Sequence, residues 1–392
     1  MKNKKIKVLQ IFNRYQEYGG EEGSVFRIAG SLKKIADVKT YESKTSEILS
    51  ANLGKWKMPF LMQKNRAVLL DLRALQEKEN FDIWQIHNVF PGLSVAVYEL
   101  AAELQVPVMQ YLHNYRFGCA KATYFRDGAA CMKCRPDAFM PAVLHRCWRN
   151  SLPATLSMVA AIKRFWSAGG IDNIRAFIAL SDSQKKAHVD MGFPEERIHV
   201  LQHYLACSEV KECTPPASGD VLFIGRLTEE KGVELLLRSW ARVDAKGRKL
   251  RIVGKGDMLG RLKKLVSDDN IGDVIFEGFV AKERHQRLWS RASFFVAPSI
   301  WNEPFGMVIL EAWQRCRPVL ATQLGSFPEL ITDGVDGWLA AANVDDFSAA
   351  MQRALDSTDK YENMAERGFS KLKSNFREDK WLYEWLEIVA KI

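Results

Sequence analysis

Two carboxylates, Glu303 and Glu311, stand in the segment PSIWNEPFGMVILEAWQRCRPVLA, behind an apolar run SFFVAPS that reads as a strand. The spacing predicts a helix that begins at Pro304. Phe305, Gly306 and Met307 would offer N–H groups in its first turn, a setting that suits an anion. Glu311 lies seven residues beyond Pro304, about two turns at ~3.6 residues per turn, so it shares a face with that start while Glu303 sits just before it. A carboxylate accepts two hydroxyl donors at once, which fits such a pair to the vicinal diols of ribose and of a hexose. The plainer alternative is an exposed helix with two solvated Glu residues. A second apolar run, VLFIG, leads into RLTEEKG, where Arg226 and Lys231 could grip a diphosphate together with backbone N–H groups. An ordinary solvated helix start has the same composition.

Other motifs are less specific. GKGDMLG, from Gly254 to Gly260, holds the first two glycines of a dinucleotide fingerprint but follows the second strand of its half and lacks the third spacing, so it speaks weakly for NAD. His113 stands at a strand end in VPVMQYLHNYRFGC, and Gly19 and Gly20 follow the first strand in EYGGEEGS. Cys119, Cys131, Cys134 and Cys147 fall within 29 residues, two of them as C-x-x-C. That spacing could close a structural zinc site of four thiolates, with reduced structural thiols as the alternative. Seven cysteines in all, an odd number, fit a disulfide framework poorly.

These groups need elements to hold them. VLFIGRL, LRIVGKG, VIFEGFV, SFFVAPS and PVLAT alternate with amphipathic stretches such as GVELLLRSWARV, and IKVLQIFN, DIWQIHN, PVMQYLHN, AFIALS and HVLQHYL repeat the rhythm earlier. Apolar strands separated by helices indicate parallel sheets covered on both faces. The expectation is two doubly wound α/β domains. Residues 1–205 form the first, with a Cys-rich insertion at about 115–155. Residues 206–220 are a Pro- and Gly-bearing linker, 221–375 the second domain, and 376–392 a closing helix returning to the first. Ligands bind beyond the carboxyl ends of such strands, so the motifs are expected to face an interdomain cleft.

Charge is uneven: residues 1–205 carry 29 Lys and Arg against 19 Asp and Glu, and the remainder 27 against 28. A basic first half suits phosphate groups or an anionic membrane surface. KWKMPFLMQKNR from Lys55 and KRFWSAGG from Lys163 add basic-aromatic stretches that could dip into headgroups. No helix-turn-helix, paired-His zinc finger or stacking-aromatic RNA motif is present, which speaks against nucleic acid. With no apolar run long enough to span a bilayer, a cytoplasmic chain, peripheral at most on the inner membrane face, is expected.

GRLTEEKG, VGKGD, APSIWNEPFGMVILEA and GSFPELITDGVDGWLA together resemble, in order, the signatures of family-4 retaining glycosyltransferases of the GT-B fold. EYGGEEGSVFRIAGSL resembles the family's glycine-rich loop, and VPVMQYLHNYRFGC its histidine-bearing loop. The resemblance implies a hexose-type sugar moved from a nucleotide-diphosphate donor to a hydroxyl acceptor, a glycan or lipid-linked glycan, with retention and without a catalytic metal. Arg226 and Lys231 would bind the diphosphate and Glu311 the ribose. Glu303 would hold the transferred sugar, and Gly254 together with the N–H groups of Phe305, Gly306, Met307 and Val308 would line the donor. His113 would touch the sugar, and Gly19 and Gly20 would lie on the acceptor side. A nucleotide-sugar epimerase and a non-catalytic sugar-nucleotide sensor are the competing classes.

Overall fold

A computed structural model describes residues 5–14, 20–45, 54–206 and 213–392. It divides into two compact units. One comprises Met1–Tyr124, Cys131–Gln202 and Trp381–Ile392, the other Phe125–Ala130 and His203–Lys380. The first unit is built on a six-stranded sheet of β1 (Lys7–Arg14), β2 (Asp37–Lys44), β3 (Ile83–Asn88), β4 (Val108–Tyr111), β7 (Ile174–Ala179) and β8 (Ile198–Val200). Their order is β2-β1-β3-β4-β7-β8 and every pairing is parallel. Between β4 and β7, β5 (Phe125–Arg126) and β6 (Ala129–Ala130) make a small antiparallel hairpin. All residues of β3 and β4 are buried, as expected of strands covered on both faces.

The second unit has β9 (Asp220–Ile224), β10 (Leu250–Val253), β11 (Val274–Gly278), β12 (Ala292–Ala297), β13 (Val319–Thr322) and β14 (Gly337–Ala340), also parallel, in the order β11-β10-β9-β12-β13-β14. Its helix Val233–Trp240 buries Val233, Leu236, Leu237 and Trp240, spaced at one face of a helix, against Val221, Phe223 and Ile252 of the sheet and Phe347 and Met351 of the helix Val344–Asp356. Each such side chain contributes about 1.5–3 kcal/mol by leaving water. Strand order reverses between β9 and β12 in this sheet, and between β1 and β3 in the first. Crevices beyond those strand ends are where a doubly wound sheet takes its ligands.

Two features differ from or add to the sequence reading. Cys213 and Cys316 form a disulfide with Cα atoms 5.0 Å apart, closing 103 residues, whereas the odd cysteine count argued against such bonds. The pairing joins positions far apart in sequence, so no local spacing announces it. The closing helix, Glu378–Val389, buries Trp381, Trp385 and Ile388 along one face, and Trp385 Nε1 donates to Gln85 Oε1 of β3 at 2.8 Å.

Candidate functional site

At the β9/β12 reversal three loops interlock. The loop after β9 ends in a short 3₁₀ turn, Glu229–Lys231, closed by Gly232 at φ 68°. A Cβ there would strike Pro298 O, so only glycine lets this loop lie against the one after β12. Ile300 N donates to Glu230 O at 2.9 Å across the contact. Lys231 Nζ is thereby brought to Glu303, 2.7 Å from Oε2 and 3.0 Å from Oε1. Trp301 Nε1 (2.9 Å) and Ser299 Oγ (3.1 Å) donate to the same Oε2. Burial works to raise the Glu303 pKa, but the charge and hydrogen bond of Lys231, with Trp301 and Ser299, outweigh it and hold the carboxyl below its usual range. Glu303 is an anion with a fixed direction.

The third loop, between β13 and the short helix Phe327–Leu330, braces the second. Gly325, at φ 59°, lies where a Cβ would collide with the Glu303 backbone. Ser326 N donates to Glu303 O at 3.0 Å and Ser326 Oγ to Phe305 O at 2.5 Å. The helix after Glu303 begins later than its sequence suggests: it runs Met307–Gln314, with Gly306 as its left-handed cap at φ 89°. Pro304 and Phe305 belong to the loop, because Gly306 turns the chain sharply before the helix is entered. Glu311 is therefore four residues past Met307, one turn in, and on its face. Val308 and Met307 are partly exposed at this end, while the Phe305 ring is buried against His203 and Phe376.

Arg226 does not join this cluster. Its side chain is 64% exposed and reaches Glu230 Oε1 at 3.5 Å, where Thr228 Oγ1 also donates at 2.8 Å. Gly254, at φ 146°, is required by packing, since a Cβ would collide with Gly225 O. Ser299, Trp301, Gly325 and Ser326 escaped assignment from sequence. The GSFPE segment was the available signal for the last two, and none marked the Trp301 indole as a donor to Glu303.

In the first unit, His113 follows β4 and its Nε2 lies 2.8 Å from His87 Nδ1. Burial, and then the charge of Arg27, push the His113 pKa down to about 3. Asn88 Nδ2, at the end of β3, bonds Asn13 O at 3.1 Å and Glu21 Oε1 at 2.5 Å. Gly20 opens the helix Gly20–Leu32 with open space where a Cβ would stand; Gly19 lies outside the described residues.

Cys119, Cys131, Cys134 and Cys147 are reduced and partly buried. The Cys134 thiol is pushed up to about 11 by burial first and then by Cys119, with Cys147 and Cys131 adding to it. Among the described residues no group of three or more His, Cys, Asp or Glu is placed to hold a metal ion. Of the KRFW stretch only Phe165 is buried; Lys163 is exposed and Arg164 and Trp166 are partly so, which takes the Phe165 ring out of the lipid-dipping face but leaves Lys163 on it. Phe165 is buried against Phe117 and Tyr98, and Trp166 Nε1 donates to Phe117 O at 2.9 Å. The sequence periodicity places Phe165 on the inward face of the helix Leu152–Ser167, leaving Lys163 exposed.

Two family models meet on this chain: Glycosyltransferase Family 4 matches residues 42–204 and Glycosyl transferases group 1 residues 212–371. Among curated relatives, the α-D-kanosaminyltransferase of Streptomyces kanamyceticus is 31% identical over 205 residues, 48% of this chain and 52% of that protein. The lipopolysaccharide core biosynthesis glycosyltransferase LpsE of Rhizobium meliloti is 27% identical over 209 residues, 51% of this chain and 60% of that one. The chain thus spans between half and three fifths of these relatives' own length. Anabaena HepE, solved with UDP and glucose, shares the fold at TM-score 0.69 and 17% identity, covering 99% of this chain and all of that one. Sucrose-phosphate synthase of Thermosynechococcus elongatus does so at TM-score 0.70 and 16% identity, over 98% of each chain. The fold is GT-B.

Proposed function

Because the chain belongs to the group 1 and family 4 glycosyltransferases, we propose that it moves a hexose-type sugar from a nucleotide-diphosphate donor to a hydroxyl of a glycan or lipid-linked glycan, retaining the anomeric configuration. The observation that carries this reading is the Lys231–Glu303 pair, directed by Trp301 and Ser299 at the β9/β12 reversal. A fixed carboxylate suits sugar hydroxyls, and the ammonium beside it suits the leaving diphosphate. Glu311, one turn into the adjacent helix, is the matching carboxylate for ribose. Arg226 is exposed on a light tether to Glu230 and can swing to the diphosphate. Charge developing on the leaving group would be met by Lys231, Arg226 and the helix start, so the diphosphate can take the acceptor's proton on the same face without a metal.

The acceptor side is read as membrane-proximal. Phe60 (77% exposed), Leu144 (72%) and Met140 (63%) stand out on the helices Gly54–Gln63 and Met140–Leu144, both of which pack on Leu152–Ser167 with its exposed Leu152 and Leu156. Lys57, Lys64, Arg146, Arg149 and Lys163 are exposed on or beside the same helices. Apolar side chains among cations fit an anionic bilayer surface, and no helix among the described residues is long and apolar enough to cross one. The test is a thermal-shift screen of sugar nucleotides followed by a transfer assay. A matched donor at 100 times its Kd adds about 2.7 kcal/mol. Lys231→Ala is expected to abolish most transfer with the fold intact, and normal turnover in it would remove the site assignment.

A further inference from the structure

Inside the first unit, buried β3 carries polar side chains where a covered strand should be apolar. Gln85 and His87 alternate onto one face, 0% and 2% exposed. Buried polar groups are tolerated only when hydrogen-bonded, and the bonds here run in one direction. We propose that Trp385, Gln85 and His87 form a relay that holds His113 as the neutral Nδ1–H tautomer, so that His113 acts on the donor sugar as a hydrogen-bond donor and not as a base. The relay itself depends only on the first unit; its use toward a sugar rests on the glycosyltransferase reading above.

The direction follows from donor and acceptor inventory. An indole N–H can only donate, so the atom of Gln85 that meets Trp385 Nε1 at 2.8 Å is the amide oxygen. Its NH₂ then faces Gln10 Oε1 at 3.2 Å and His87 Nε2 at 3.3 Å. Gln10 is itself oriented, since its NH₂ donates to Val25 O at 3.1 Å and leaves its oxygen for Gln85. An amide nitrogen accepts nothing, so His87 Nε2 carries no proton and accepts. The His87 proton is therefore on Nδ1, 2.8 Å from His113 Nε2, which accepts in turn. His113 must carry its own proton on Nδ1.

Charging either ring would oppose two donors: His87 Nε2–H against the Gln85 amide, or His113 Nε2–H against His87 Nδ1–H. Stacking fixes the ring planes, with His87 4.7 Å from Tyr111 and 5.1 Å from His113 between centroids. The push of the His113 pKa down to about 3 by burial and Arg27 agrees with a neutral ring. With Nε2 engaged by His87, His113 has no free site for the acceptor's proton, which leaves that proton to the diphosphate. His113 is the residue read to touch the sugar; His87, Gln85 and Trp385 are positioning residues.

The test uses the full chain labelled with ¹⁵N-histidine, in which long-range ¹H–¹⁵N correlations separate Nδ1–H from Nε2–H rings. His113→Asn assigns the signals by loss. Expected at pH 7 are Nδ1–H tautomers for both His87 and His113; an Nε2–H or charged His113 overturns the proposal. Trp385→Phe removes the donor and part of the ring, and is expected to give a mixed His113 tautomer and about tenfold slower transfer, with a lowered Tm but a cooperative fold at assay temperature. His87→Phe is expected to lose more, and His87→Asn, whose amide can still donate to His113, to recover most of it. A rate loss in Trp385→Phe with the tautomer unchanged refutes the relay. The predicted tautomers in a protein that transfers no sugar support the relay while removing the activity assigned above.

Discussion

Glu303→Gln separates the two roles of the Lys231–Glu303 pair. Oε2 accepts from Lys231, Trp301 and Ser299, and Oε1 from Lys231 alone. Glutamine can keep one oxygen, best placed at the Oε2 position, which turns its NH₂ toward the Lys231 ammonium. One charge-assisted bond is lost, worth about 1.5–3 kcal/mol, and the ammonium loses its counter-charge. Breaking a fully buried pair costs about 3–5 kcal/mol, but here the side chains are 20% and 12% exposed, so a total near 2–3 kcal/mol is expected. At about 2–4 °C per kcal/mol for a unit of this size, the ligand-free Tm should fall by about 4–12 °C. Binding should move the other way. Lys231 without its partner is at least as available to a diphosphate, so stabilisation by a nucleoside diphosphate should match or exceed that of the unchanged protein. Turnover, which needs the sugar held, should drop by about 10²–10³-fold. The reasoning fails if the Tm stays within about 1 °C, or if nucleoside diphosphate stabilisation disappears together with turnover.

Four further outcomes follow. Gly306→Ala puts a Cβ at φ 89° and against the Phe327 ring, so a loss of about 1–3 kcal/mol is expected in urea unfolding, with weaker donor binding; a neutral change refutes the tight cap. Burial lowers His113 to about 3 and His188 to about 4, against about 6.5 in the unfolded chain. Between those values only the unfolded rings are protonated, so stability is full above about pH 6.5 and falls with acidification. A urea midpoint that stays flat from pH 7 to 5 contradicts it. Reducing Cys213–Cys316, which closes 103 residues, should cost about 2–4 kcal/mol; identical melting of oxidised and reduced protein removes the bond from the structure. The zinc site of four thiolates at Cys119, Cys131, Cys134 and Cys147 is carried forward as a proposal on its sequence spacing alone, since the described thiols are not grouped for a metal ion. Metal analysis should find about one equivalent per chain, with a Tm lowered by chelator, and less than about a tenth of an equivalent dismisses it.

Strand and helix rhythm made both sheets legible, because parallel strands covered on two faces are written as short apolar runs. The loop motifs carried Lys231, Glu303 and Glu311 to one sheet reversal for the same reason: they follow strand ends. Hidden from the sequence were pairings between distant segments. Nothing local says that the Trp301 indole turns back to Glu303, that Ser326 fastens the loop carrying Phe305, or that Cys213 meets Cys316. The start of the helix at Met307 was misplaced because Pro304 is a good first helical residue, while the left-handed cap at Gly306 overrides it. In the basic-aromatic KRFW, charge and aromaticity alone assign no face; Phe165 points inward and Lys163 outward.

The closing helix has a consequence for how such a protein can be reassembled. The first unit is discontinuous in sequence and recovers its last segment, Trp381–Ile392, only after the chain has traversed His203–Lys380. The main body of the second unit is thus an insertion with two junctions, at about 202/203 and 380/381. Exchange at both junctions would replace the loops after β9, β12 and β13 as a cassette and keep Trp385 over Gln85, whereas a single crossover in the linker would import a foreign closing helix along with the cassette. Chimeras retaining the native residues 381–392 should therefore keep the His113 tautomer of the parent first unit. Those with one junction should keep it only where the incoming helix also presents an indole N–H.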